Sequence, residues 1–180
     1  GTFNLNKIGF YAGLDENILE VRTIQSVIPL NFNFLYNFFD QNLEFSLQTQ
    51  KLKPIELFSK NYKKDELIKL KDVSFSSITN FAYDIKQNQM NYDSSGSLIF
   101  PKESLYDGFD ISYALSGNEQ NINVEYINVA GQKINANLQA EYIYKTMQLY
   151  GFANISDFTL PNGNVISTEL FFDPLDEGFM

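Results

Sequence analysis

Alternation of apolar and polar residues with a period of two is the feature that most constrains this chain. Successive side chains of a β-strand point to opposite faces, so this period is typical of a half-buried strand. The pattern predicts an all-β, mainly antiparallel fold with at most one short helix. The clearest runs cover Phe32–Phe38, Leu43–Leu47, Val73–Phe75, Phe81–Ile85, Phe109–Leu115, Ile122–Tyr126, Ile134–Tyr144, Met147–Ile155 and Ile166–Phe172.

Residues that favour tight turns separate many of these runs. Strands spaced about 10 to 12 residues apart and joined by such turns indicate a meander, a sandwich or an open roll. A length of 180 residues fits a single β-rich domain over 1–180. The helix candidate is Lys63–Leu70, and Leu52–Glu66 is interpreted as a long loop or short helix. Hairpin-type connections are predicted at Asp93–Gly96, Ser116–Asn118, Ala130–Gln132 and Pro161–Asn164.

The composition excludes many kinds of chemistry. The chain has no Cys and no His, so it has no thiolate nucleophile, no Ser-His-Asp triad and no His-ligated zinc. No Gly-rich phosphate-binding loop is present. A net charge of −9 disfavours nucleic acid and a polybasic grip on anionic membranes. We therefore predict a protein that is not an enzyme, uses no cofactor and does not bind nucleic acid.

Clustered carboxylates are the one remaining route to catalysis. Asp107 and Asp110 lie three residues apart, and Asp173, Asp176 and Glu177 cluster near the end. A glycosidase needs two carboxylates facing one cleft, and a calcium site needs several oxygens at loop spacing. Neither cluster has an EF-hand pattern, and we interpret both as solvated turn residues. An enzyme with a carboxylate-only mechanism stays an alternative.

Aromatic residues are abundant, with 17 Phe, 11 Tyr and no Trp. One dense patch lies within 32–39, and a second comprises Tyr142, Tyr144 and Tyr150. An aromatic face offers a large apolar area, and Tyr adds a hydroxyl group. Such patches suit contact with a lipid or a sugar, and ordinary core packing is the other interpretation.

The segment from Ile134 to Asp173 resembles the repeat of the OstA-like lipopolysaccharide-transport proteins, the LptA and LptC group. In that family a strand with Ala and then Tyr leads to a polar turn and a Leu-x-Gly-x-Val strand. A second turn with Gly precedes a strand that carries Thr and ends in an aromatic followed by Asp or Asn. The matching residues here are Ala140, Tyr144, Leu149, Gly151, Ala153, Ile155, Gly163, Ile166, Thr168, Leu170, Phe172 and Asp173. A more degenerate likeness extends over 71–180, whereas 1–70 resembles no family.

The resemblance implies a fold and a function. The fold is an open β-jellyroll, or β-taco, whose apolar interior holds lipid acyl chains. The partners are lipopolysaccharide or another lipid, together with other Lpt-type bridge proteins joined by strand-edge pairing. The location is the periplasm or cell envelope, with possible anchoring in the inner membrane. The lipid-binding residues would be Leu138, Ala140, Tyr142, Leu149, Ile155, Ile166, Leu170 and Phe172.

Two further expectations complete the sequence-based interpretation. The chain begins with Gly1 rather than Met, so we expect a signal peptide or N-terminal membrane anchor to have preceded it. The alternative function is a secreted or cell-surface β-sandwich for adhesion or glycan binding. The cross-section of the fold separates the alternatives, because an open roll favours a lipid carrier and a filled sandwich favours adhesion.

Overall fold

All of the regular structure described for the chain is β-strand. The computed structural model describes residues 2–5, 8–53, 72–102 and 108–174. The predicted helix Lys63–Leu70 and most of Leu52–Glu66 lie outside these residues. The strands are β1 (Thr2–Leu5), β2 (Ile8–Asp15), β3 (Ile18–Ser26), β4 (Leu30–Asn37), β5 (Asn42–Leu52), β6 (Ser74–Asp84), β7 (Gln89–Phe100), β8 (Phe109–Asn118), β9 (Asn121–Gly131), β10 (Ile134–Ile143), β11 (Gln148–Thr159) and β12 (Val165–Phe172).

The strands form one 12-stranded sheet in which sequence order and spatial order are the same. Every neighbouring pair is antiparallel, as expected where short connections join consecutive strands. In the described part of the chain the sheet is open, with β1 and β12 at its two edges. The predicted fold class, an all-β antiparallel open roll, is confirmed. The segment that resembled no family supplies β1–β5 of the same sheet.

Side-chain amides and carboxylates end several strands at the tight hairpins. Asn37, Asp84 and Asn118 each accept a backbone N–H from two or three residues further on, at 2.7 to 3.2 Å. This contact stabilises a turn because the side chain replaces the next ladder partner. The turns after β4, β6 and β10 each have four residues. Each of these turns ends in a residue with left-handed φ, namely Gln41 at 59°, Asn88 at 53° and Met147 at 54°.

One predicted turn is wrong, because Asp93–Gly96 lies inside β7. Gly96 stands opposite Tyr113 of β8, and a Cβ atom there would lie 2.9 Å from atoms of the Tyr113 ring. The glycine therefore permits a tyrosine ring to lie across the strand, which is a packing role and not a turn.

The other predicted connections lie at or next to the observed turns. Ser116–Asn118 forms the end of β8, and the turn follows at 119–120. Ala130–Gln132 covers the end of β9 and the start of the next turn. Pro161–Asn164 joins β11 to β12, with Gly163 at a φ of 85°.

Cross-strand register divides the sheet residues between two faces, because directly opposed residues point the same way. One face is mostly apolar, with a minority of Ser, Thr and Gly positions, and we call it the apolar face. The other, the polar face, carries mostly Asn, Ser, Gln and acidic residues. From β4 to β8 the hydrophobic residues of the apolar face are Leu30, Phe32, Phe34, Tyr36, Leu43, Phe45, Leu47, Phe75, Phe81, Tyr83, Met90, Tyr92, Leu98, Phe100, Phe109, Ile111, Tyr113 and Leu115. The small residues among them are Thr49, Ser77, Thr79, Ser94, Gly96 and Gly117.

Very little of the described chain is fully buried. The buried hydrophobic side chains are Leu52 and Val73, at 5% and 2% exposure, beside the buried pair Thr49 and Ser77. The accessible surface is 12,805 Å². A compact protein of 20.7 kDa exposes about 8,900 Å². Among the described strands, the backbone contacts concentrate between strands that are neighbours in sequence, as expected for one continuous sheet.

Candidate functional site

The predicted lipid-binding residues all lie on the apolar face of β10–β12. Leu138 stands opposite Ala153, which in turn stands opposite Leu170. Tyr142 is paired with Leu149 in the same register. The two-residue period of each strand then places the rest of the set on that face, namely Ala140, Ile155, Ile166 and Phe172.

These side chains are incompletely covered. Leu149, Ile166, Leu170 and Phe172 expose 43%, 42%, 47% and 37% of their surface. Leu138, Ala140, Tyr142 and Ile155 are half-buried. Apolar side chains left open in a row mark a surface that can accept an apolar partner. The geometry brings the set together, and its contact with lipid stays a prediction.

The same apolar face continues through the N-terminal strands. The ring centroids of Phe10 and Phe32 lie 6.2 Å apart, and those of Phe32 and Phe45 lie 5.3 Å apart, in edge-on arrangements. Phe45 stands between Phe34 and Phe81 in the cross-strand register. With about 4.8 Å between strands, the sheet extends about 50 Å across its strands. Sequence reasoning missed this continuity because 1–70 matched no family.

Tyrosines are concentrated along one margin of the apolar face, where the tight hairpins lie. We call Tyr36, Tyr83, Tyr92, Tyr142 and Tyr144 the tyrosine margin. The hydroxyls of Tyr92 and Tyr144 lie 3.1 Å apart, and the Tyr83 hydroxyl donates to the Asn88 side chain at 2.8 Å. The opposite margin carries hydroxyl-free side chains, namely Phe75, Leu98, Phe100 and Phe109.

Tyr92 crosses the face at this margin. A Cβ atom at Gly117 would lie only 2.4 Å from the Tyr92 hydroxyl. The glycine therefore leaves room for the Tyr92 side chain to reach Tyr144. Partial burial, and then the hydrogen bond with Tyr144, raise the pKa of Tyr92 to about 12. Both effects favour the neutral phenol, because burial penalises charge and the bond needs a proton.

The predicted acidic clusters show no convergence in the described residues. Asp110 is exposed on the polar face between Ile99 and Ala130, and Asp173 is exposed after β12. Asp107, Asp176 and Glu177 lie outside the described residues. Within the described ranges, no group of three or more acidic residues is placed to hold a metal ion. In that same part of the chain, no helix is long and apolar enough to span a membrane.

The largest of the described grooves opens on the polar face and measures about 540 Å³. It therefore lies across the sheet from the predicted lipid-binding residues. The apolar face is a broad open surface and not a pocket, which suits an extended chain better than a compact molecule. Sequence reasoning did not identify the groove, because its Asn and Ser residues read as ordinary solvated strand positions.

Comparison with known proteins gives no match: no protein-family model, no curated protein and no solved structure matches this chain. The resemblance to the OstA-like proteins therefore stays a hypothesis carried by the residues quoted for it.

Proposed function

We propose that this protein holds the acyl chains of a lipid, with lipopolysaccharide as the leading candidate, along the apolar face. The observation that carries the proposal is the apolar face itself, which runs across the described strands with its hydrophobic side chains half-buried from β4 to β8 and partly exposed on β11 and β12. Apolar surface that remains in contact with water is unfavourable, and an acyl chain removes it from water. The role is that of a carrier or bridge, and it requires no catalytic group.

Transfer energetics favour a lipid with several acyl chains. Complete burial of a methylene contributes about 0.8 kcal/mol. A chain of about 12 methylenes covered on one side thus contributes about 5 kcal/mol. Association costs between about 4 and 15 kcal/mol, so one chain binds weakly and several chains bind well. Lipopolysaccharide is multiply acylated, and the long open surface offers room for parallel chains.

The two free edges of the sheet support a bridging role. Among the described strands, β1 and β12 each have a neighbour on one side only, and every residue of β12 is exposed. An unpaired strand edge is a template for strand addition. We propose that like sheets add at these edges and extend the apolar face, in the periplasm or elsewhere in the cell envelope. These partners and this location rest on the resemblance.

Photo-crosslinking tests the proposal directly. A photoreactive amino acid at Leu138 or Ile166 is expected to capture lipopolysaccharide or a fluorescent acyl probe. Gln139 and Ser167 are the matched controls, because each adjoins a test position and occupies the opposite face. Capture on the apolar face alone supports the proposal.

Equal capture at all four positions, or no capture at Leu138 and Ile166, contradicts it. Circular dichroism of each variant confirms that the sheet has formed before the result is scored.

A further inference from the structure

A row of polar side chains crosses the polar face from β2 to β11. Each member stands directly opposite the next in the cross-strand register. Directly opposed residues share a face, so their side chains form one line across the strands. In order, this polar row comprises Tyr11, Arg22, Asn33, Ser46, Asn80, Asp93, Ser116, Asn123, Glu141 and Tyr150.

Grooves in the surface follow this row. The 540 Å³ groove, which we call the central groove, spans β4–β9 and shares Asn33 and Ser46 with a groove of about 270 Å³ over β3–β5. It shares Asn123 with a third groove of about 380 Å³ that reaches β11, which we call the β11 groove. The three grooves therefore adjoin along the polar row, and together we call them the furrow. With about 4.8 Å between strands, it runs about 38 Å from β3 to β11.

The furrow is lined by groups that both donate and accept hydrogen bonds. Side-chain amides dominate the central groove, at Asn33, Asn80, Asn91, Asn118, Asn121 and Asn123. An amide offers a donor and an acceptor side by side, as does a pair of neighbouring sugar hydroxyls. The Asn33 Oδ1 atom is buried, and no hydrogen-bond partner for it is found. A buried acceptor without a partner is unfavourable, which marks Asn33 as a strained point of the lining.

The charges of the furrow disfavour an anionic ligand. The central groove and the β11 groove contain no Lys or Arg, and Arg22 stands at the far end. The furrow has four carboxylates, and three of them already accept side-chain protons: Asp93 from Asn80 at 2.9 Å, Glu141 from Asn121 at 2.6 Å and Glu125 from Ser116 at 3.2 Å. Phosphate-bearing chains would meet repulsion here. The lining suits an uncharged ligand that makes many hydrogen bonds.

Aromatic rings lie at the C-terminal end of the furrow. Tyr150 and Phe152 line the β11 groove, and the Phe152 ring lies 5.1 Å from that of Phe171. Phe171 is 74% exposed on the polar face. A flat ring with a negative face complements the C–H groups on the face of a pyranose.

We infer that the polar face binds a linear, uncharged glycan that lies across the strands in this furrow. The furrow gives the shape, the amides give partners for hydroxyls, and the aromatic end gives a stacking surface. The site is on the opposite side of the sheet from the apolar face. It therefore does not depend on lipid binding, and one protein can hold both ligands.

NMR titration with cellohexaose, chitohexaose and laminarihexaose tests the inference. The side-chain amide signals of Asn33, Asn80 and Asn123 are expected to shift with at least one of these probes at millimolar concentration. Asn123→Leu removes hydrogen bonds at the junction of two grooves, and we expect affinity to fall about tenfold. Asn154→Leu is the control, because Asn154 is on the same face but lines none of the three grooves.

Other outcomes overturn the inference. An absence of shifts with all three glycans rules out the site. Shifts with spermine alone that vanish at high salt identify the furrow as a polycation site. Equal loss of affinity in the Asn123→Leu and Asn154→Leu variants places the ligand elsewhere. Asn123→Ala, a smaller change at an exposed position, keeps the test decisive if Asn123→Leu does not fold.

Discussion

The two faces of the sheet are built from the same strands, yet they differ in what holds them together. On the apolar face, rings and aliphatic chains touch across strands, as between Phe32 and Phe45, and a few hydroxyl pairs such as Thr79 and Ser94 lie among them. On the polar face, hydrogen bonds such as that from Asn80 to Asp93 join neighbouring strands. In the described part of the chain, few side chains of either face are fully buried. One sheet can thus offer two chemically distinct surfaces to two classes of ligand.

The two faces should differ most in how a new charge on each of them changes the affinity for a lipid. We expect Leu138→Asp to weaken binding of an acyl probe about 100-fold, because an unpaired carboxylate loses solvation under a lipid chain. Gln139→Asp, one residue away on the polar face, should leave the affinity almost unchanged. Fluorescence titration of both variants measures the contrast. A similar loss in both would show that the faces are not separate surfaces.

Removal of apolar side-chain atoms should change the stability of the protein more on the apolar face than on the polar face, and this contrast should be smaller than the contrast in binding. Phe45→Ala removes a ring that contacts Phe32 and stands between Phe34 and Phe81. We expect the free energy of unfolding to fall by about 2 kcal/mol, less than for a fully buried Phe. Ile78→Ala on the polar face, at 47% exposure, should cost less than about 1 kcal/mol. Urea denaturation followed by circular dichroism gives both values, and equal losses would contradict the asymmetry.

The smallest expected effect concerns the tyrosine margin. The pKa of Tyr92 is raised to about 12, so its contribution to stability is complete below pH 10 and is lost as the pH rises towards 12. Tyr92→Phe removes the hydrogen bond with Tyr144 and should cost about 1 kcal/mol at neutral pH.

The stability difference between the two proteins should therefore shrink between pH 10 and pH 12. Urea midpoints measured across that range test this, with the variant as control for the other groups that titrate there. A difference that stays constant to pH 12 would mean that Tyr92 is not held in its neutral form.

Much of this fold follows from period-two alternation. The runs Phe109–Leu115 and Ile134–Tyr144 lie within or overlap β8 and β10, because one face of each strand is apolar and the other is not. β2 and β3 did not stand out, since both faces of these strands carry apolar residues, such as Tyr11 and Ile18 on the polar side. The turn predicted at Asp93–Gly96 was wrong because residues that favour turns also occur inside a strand, where Gly96 leaves room for the Tyr113 ring.

The candidate sites were predictable to different degrees. The apolar set around Leu138 was identified because alternation and resemblance both point to it. The polar row was not, because it depends on the register of many strands at once. Asn33 and Asn123 are far apart in sequence and meet one furrow only through the hairpins between them. Local β-bulges, such as that between Ala114 and Leu115, also shift the register in ways that a sequence does not reveal.

The central claim, that acyl chains lie on one face only, is tested most directly by intermolecular nuclear Overhauser effects, which report only close contact between protons. Unlabelled stearic acid is titrated into isotopically labelled protein. We predict cross-peaks from the acyl chain to the methyl groups of Leu115, Ile127 and Leu138, and none to the Ala114 methyl group or to the side-chain amides of Asn128 and Gln139 on the polar face. Equal cross-peaks to both faces, or cross-peaks confined to residues of the polar face, would contradict the account.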